Sequence, residues 1–116
     1  MGVSFPVLLG LTGVLAIVAG SVGLASSANI NPERKFPSMF EPVHGSAPDI
    51  AGKEIANPLA AVLSAALMLD HLKEPAAANA VRNAVKVVLR EKRALSPDLG
   101  GKAKTTEVGD AVAGSV

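Results

Sequence analysis

A histidine, a glycine–serine pair and a carboxylate lie close together in this sequence, as His44, Gly45, Ser46 and Asp49. The backbone N–H groups of Gly45 and Ser46 can approach a sugar or a phosphate closely, as polar concavities of main-chain amides do. Asp49, next to Pro48, offers a carboxylate able to accept both hydroxyls of a ribose. An acid on the ribose 2′-hydroxyl selects NAD, because it repels the 2′-phosphate of NADP. The His44 imidazole has the shape to lie against an adenine face. The same residues also fit a plain surface loop, in which Asp49 caps a turn and His44 is solvated. Residue chemistry alone leaves both readings open.

These residues sit in the stretch from Phe40 to Pro58, which holds three of the chain's eight prolines (Pro42, Pro48, Pro58) and two of its eleven glycines (Gly45, Gly52). Proline fixes its own φ and moves its predecessor out of the helical region, so the stretch reads as a long, stiff, ordered loop. Long loops inside a domain are usually functional or disordered, and the regular prolines with apolar residues between them favour order here. Upstream, residues 26 to 39 read as a turn followed by a short extended piece into Phe40, and the charge run Glu33-Arg34-Lys35 as a solvated face. Downstream, Asn57-Pro58 predicts a helix start, with Asn as N-cap and Pro at the first helical position. That helix carries no charge from Leu59 to Leu69 and is apolar nearly all round, the pattern of an element packed between partners. Asp70 and His71 mark its exposed end.

Pro75 opens a second helix, expected to run to about Arg93. Val81, Ala84, Val85, Val88 and Leu89 share one face, while Arg82, Lys86, Arg90 and Arg93 share the other. Leu95 to Gly101 reads as a turn. Thr105 or Thr106 is expected to cap a short closing helix with Val108, Ala111 and Val112 turned inward.

With 11 Lys and Arg against 10 Asp and Glu, the chain has no basic cluster of the kind that binds nucleic acid. Two histidines and no cysteine exclude zinc sites of the Cys/His type and any disulfide framework, and are compatible with the cytoplasm. Residues 1 to 32 lack any charged side chain. Val3 to Ala25 is apolar enough to span a bilayer by length. Pro6 and the glycines at 10, 13, 20 and 23 weaken a single spanning helix, although membrane helices tolerate them, and a membrane segment is the minor reading.

The run His44-Gly45-Ser46-Ala47-Pro48-Asp49-Ile50-Ala51-Gly52-Lys53, followed by Ile55-Ala56-Asn57-Pro58, resembles the adenosine-binding loop of the β-decarboxylating dehydrogenases. That family includes the isopropylmalate, isocitrate, homoisocitrate and tartrate/D-malate enzymes. Ser27-Ala28-Asn29-Ile30-Asn31-Pro32, Pro37-Ser38-Met39-Phe40-Glu41-Pro42, Leu67 to Leu72 and Pro97-Asp98-Leu99-Gly100-Gly101 are most similar to the tartrate/D-malate branch. Thr105-Thr106-Glu107-Val108-Gly109-Asp110-Ala111 fits the family's closing helix. The resemblance covers residues 20 to 113; residues 1 to 19 form a divergent apolar segment.

The resemblance implies NAD-dependent oxidative decarboxylation of a small 2-hydroxy acid. It implies an α/β fold of the isopropylmalate dehydrogenase type, seen here as one partial C-terminal domain, mostly helices with a few short strands. It also implies a homodimer in the cytoplasm. The implied cofactor-binding residues are Glu41, His44, Gly45, Ser46, Ala47, Pro48, Asp49, Ile50, Ala51, Gly52, Lys53 and Asn57, with Asn57 reaching the adenine edge and Glu41 on the nicotinamide side. Family members also use Mg²⁺ or Mn²⁺ held by aspartates ahead of the Gly-rich helix. No Asp or Glu precedes Glu33 here, and tyrosine, the family's catalytic acid–base partner to lysine, is absent from the chain. The expectation is a truncated relative that retains the NAD loop and is inactive alone, or else a non-catalytic nucleotide-binding or subunit-pairing module.

Overall fold

The computed structural model describes residues 21–116. The expectations for residues 1 to 19, and most of the apolar stretch read for a membrane, lie outside the described residues. Within them the order is a 3-10 turn at Val22–Leu24, strand β1 (Ser26–Asn29), strand β2 (Met39–Pro42) and a 3-10 turn at Pro48–Ile50. Helix α1 (Leu59–His71), helix α2 (Pro75–Glu91), a 3-10 turn at Pro97–Leu99 and helix α3 (Thr105–Ala113) follow. The fold is therefore mostly helical with two short strands. Among the described residues, no helix is long and apolar enough to cross a membrane.

β1 and β2 pair antiparallel, with Ser26 opposite Pro42 and Asn29 opposite Met39. Two expectations are corrected here. Ser26 to Asn29 is a strand rather than part of a turn, and Phe40 to Pro42, taken as the start of the loop, belongs to β2. The loop proper begins at Val43, whose N–H still donates to the Ala25 carbonyl.

α1 has the apolar girth that the sequence shows because it is packed on two sides, by α2 and by the two-stranded sheet. Its buried residues are Leu59, Ala60, Ser64 and Ala66, small enough to let both neighbours approach. Ser64 is the polar member, and its hydroxyl donates to the Ala60 carbonyl one turn back at 2.7 Å. The core joins Leu59 to Ala84, Val85 and Val88 of α2 and to Val108 and Val112 of α3.

α2 begins at Pro75 as expected but ends at Glu91, short of Arg93. Lys92 takes a left-handed conformation with φ 52° and the Arg93 N–H turns back to the Val88 carbonyl, which stops the helix. Of the cationic face, Arg82 pairs with Asp70 of α1 and Arg93 with Glu91. The closing helix differs at its start. Neither Thr105 nor Thr106 is the cap; Glu107 reaches back to accept from the Lys104 N–H at 2.9 Å. Thr105 donates its hydroxyl to the Ala56 carbonyl at 2.6 Å, tying α3 to the end of the loop.

A nucleotide-sized cleft at the loop

The loop after β2 encloses, with its neighbours, a cleft of about 630 Å³. Three stretches line it: Ser21 to Gly23, the loop from His44 to Ala56, and Asp98 with Thr105 from the C-terminal region. The cleft is mostly apolar, the usual character of a site for a flat ring.

Of the residues singled out in the sequence, His44, Gly45, Ser46, Ala47, Ile50, Ala51 and Gly52 line this cleft. His44 is half-buried, and its Nδ1 stands 3.0 Å from the Gly45 carbonyl oxygen. Ala47 is held at φ 43°, a left-handed conformation that costs an alanine about 1 kcal/mol or more. It directs the chain into the 3-10 turn at Pro48, where the Ile50 N–H closes back on the Ala47 carbonyl. Gly52 takes φ 79°, the second sharp turn, where a side chain would be strained. The loop is thus bent twice around the His44 end of the cleft.

Five of the predicted residues are placed elsewhere. Pro48, Asp49 and Lys53 are exposed on the loop and outside the cleft lining. Glu41 is exposed on β2, opposite Ser27. Asn57 is buried, and its amide is engaged within the protein: Oδ1 accepts from the Leu59 N–H at 2.9 Å and Nδ2 donates to Asp98 Oδ2 at 3.0 Å. The sequence expectation of Asn57 as N-cap and Pro58 inside the helix shifts by one residue: Pro58 takes the cap position in a helical conformation, and Asn57 holds the Leu59 N–H from the residue before it.

The sequence did not point to Ser21, Gly23, Asp98 or Thr105 as lining residues, and Asp98 is the most heavily hydrogen-bonded of them. Besides the Asn57 amide, its Oδ2 accepts from the Ser21 hydroxyl at 2.5 Å, and its Oδ1 accepts from the Ser96 hydroxyl at 2.5 Å. Partial burial pushes its carboxyl up, but the hydrogen bonds from Ser21, Ser96 and Asn57 outweigh it and hold the group below the ordinary aspartate value. Gly23 fits because it has no side chain: a Cβ there would stand 2.7 Å from Asn57 Cβ and 2.8 Å from Asp98 Oδ2. At the far end of the loop, Glu54 accepts from the Thr105 N–H through its carbonyl and faces Lys104 Nζ at 3.5 Å through its carboxylate.

A divalent cation does not fit this donor set. Among the described residues, no three His, Cys, Asp or Glu side chains come together as metal ligands, and the one carboxylate lining the cleft from the C-terminal turn, Asp98, is already satisfied by three donors.

Known proteins resemble the chain over most of its length. The family model described as isocitrate/isopropylmalate dehydrogenase matches residues 11–112. The chain is 55% identical over 102 residues to a probable tartrate dehydrogenase/decarboxylase of Agrobacterium vitis, covering 88% of this chain and 28% of the relative. It is 59% identical over 102 residues to the 3-isopropylmalate dehydrogenase of Corynebacterium jeikeium, again covering 88% of this chain and 28% of the relative. The described fold superimposes on isocitrate dehydrogenase from Methylococcus capsulatus with a TM-score of 0.83 at 39% identity, covering 90% of this chain and 31% of that one. A β-decarboxylating dehydrogenase from Thermococcus kodakarensis gives a TM-score of 0.80 at 42% identity, covering 90% and 30%. The chain thus spans about 28% of the length of the curated relatives that it matches. A family match over nearly the whole chain, together with the common fold, shows that it belongs to the isocitrate/isopropylmalate dehydrogenase family.

Proposed function

We propose that this chain supplies the NAD-binding part of an oxidative decarboxylase acting on a small 2-hydroxy acid of the tartrate, D-malate or 3-isopropylmalate type. The observation that carries the reading is the twice-bent loop from His44 to Gly52, which forms one side of a cleft of about 630 Å³. In this reading the His44 ring and Ile50 face the adenine. The main chain at Gly45 and Ser46 lies beside the sugar and phosphates, and Asp49, on the exposed side of the loop outside the cleft lining, is assigned the ribose hydroxyls. Pro48, Ala51 and Lys53 hold the loop's shape and outer edge, and Glu41 on β2 lies toward the nicotinamide side. Asn57 serves from behind, by fixing the start of α1. When bound, NAD accepts the hydride taken from the substrate's hydroxyl-bearing carbon.

The chain's own contribution is binding and orientation rather than proton transfer. It contains no tyrosine, and its described carboxylates do not assemble into a metal site. Acid–base and metal chemistry is assigned in this reading to the family enzyme as a whole, and a cytoplasmic location and pairing of two copies are proposed at the same level. The test is calorimetric titration of the chain with NAD and with NADP, repeated on Asp49→Ala. The reading expects saturable NAD binding, weaker NADP binding, and loss of that discrimination in the variant. Equal affinity for both dinucleotides in the unaltered chain would refute the role given to Asp49.

A further inference from the structure

Among the residues that line the cleft, one links stretches that the chain keeps far apart. Asp98 Oδ2 receives the Ser21 hydroxyl at 2.5 Å, across 77 positions of sequence, and the Asn57 amide at 3.0 Å, across 41 positions. Its second oxygen is held by Ser96 at 2.5 Å. Ser21 in turn accepts from the Gly23 N–H at 3.1 Å, so the turn at Val22–Leu24 is fixed by the same hydroxyl that reaches Asp98. Asn57 ends the loop and holds the first N–H of α1, that of Leu59. A single carboxylate thus joins the Ser21–Gly23 lining to the end of the loop opposite His44. The hydrogen bonds are charge-assisted, the stronger and more directional class. Gly23 leaves space for this approach and for nothing larger.

We propose that Asp98 is the positioning residue of the cleft: by holding Ser21 and Asn57 on one carboxylate, it sets the separation between the Ser21–Gly23 turn and the 43–58 loop, and so the width offered to a flat ligand. The inference rests on the nucleotide reading for its ligand but not for its geometry. Asp98 acts through its two partners and needs no contact with the dinucleotide. Losing the Ser21 bond lets the turn move away from the loop, so the cleft is no longer preformed. The width is then restored by any side chain at position 21 that keeps the hydroxyl.

The test uses the full chain with Ser21→Ala, Ser21→Thr and Asp98→Asn, titrated with NAD well below each variant's unfolding temperature. Backbone amide spectra are recorded on each ligand-free protein. Positioning predicts that Ser21→Ala and Asp98→Asn weaken NAD binding about tenfold, the worth of one charge-assisted bond. Ser21→Thr retains the original affinity. It also predicts that Ser21→Ala shifts amides from His44 to Gly52 in the ligand-free state. NAD binding of unchanged strength in both Ser21→Ala and Asp98→Asn would overturn the positioning role while leaving the nucleotide reading intact. Failure of the unaltered chain to bind NAD would count against the nucleotide reading, and the ligand-free spectra then decide the inference. Shifts that spread through the loop uphold it, and shifts confined to residues 21 to 24 and the immediate neighbours of Asp98 overturn it.

Discussion

Replacing Gly23 by alanine places one methyl group at the most crowded point beside the cleft. The added carbon would lie 2.7 Å from Asn57 Cβ and 2.8 Å from Asp98 Oδ2. Carbon atoms in good contact are about 3.5–4.0 Å apart, so the turn and Asn57 must separate by about 1 Å. Overpacking of this kind costs about 1–3 kcal/mol. Moving Asn57 also loosens its 2.9 Å bond to the Leu59 N–H, and a lost hydrogen bond costs about 1 kcal/mol. The sum, about 2–4 kcal/mol, lowers the thermal midpoint of a domain this size by roughly 10–20 °C. The assay is helical circular dichroism followed on heating, with Gly109→Ala as the internal comparison. Nothing lies within 4 Å of a Cβ added at Gly109, which sits inside α3. Alanine there removes a helix glycine and raises stability by about 0.5–1 kcal/mol. Gly23→Ala and Gly109→Ala with the same midpoint would refute the claim that the Gly23–Asn57–Asp98 contact is tight.

Further outcomes follow from single contacts. Thr105→Val removes the hydroxyl that donates to the Ala56 carbonyl, and is expected to cost about 1 kcal/mol in urea unfolding. Lys92→Gly relieves the left-handed φ of 52° at the end of α2, and should stabilise by about 0.5–1 kcal/mol in the same assay. Asp98 titrates below the ordinary value of 3.8 in the folded chain. The stability it confers is therefore complete above the unfolded-state value and is lost as pH falls through the lower folded-state value. Acid titration of the unfolding free energy should accordingly be flatter below the unfolded-state value for Asp98→Asn than for the unaltered chain. Equal acid sensitivity would show that the three donors do not act on this carboxylate.

The parts of the fold legible in the sequence were those set by local rules. Asn57 and Pro58 announce α1, Pro75 announces α2, and the spacing of Val81, Ala84, Val85 and Val88 names the face that α2 buries. The end of α2 was misplaced because Lys92 carries no sign of its left-handed conformation, which most sequences reserve for glycine. Thr105 was taken for a cap because threonine favours that position, yet a carbonyl 49 positions away, that of Ala56, receives its hydroxyl. The strand β1 was missed because Ser26 to Asn29 has no apolar alternation and owes its pairing to β2. The same limit applies to the site. His44, Gly45 and Ser46 stand together in the sequence and line the cleft, whereas Ser21, Asn57 and Asp98 meet only after folding.

The measurement that bears most directly on the account is a map of backbone amide shifts in the full chain as NAD is added. A cleft built as described predicts that the largest changes fall at His44 to Gly52, at Ser21 to Gly23 and at Asp98 and Thr105. Saturable changes centred instead on the exposed apolar surface around Phe36 and Leu72, or none at all in a folded chain, would contradict it.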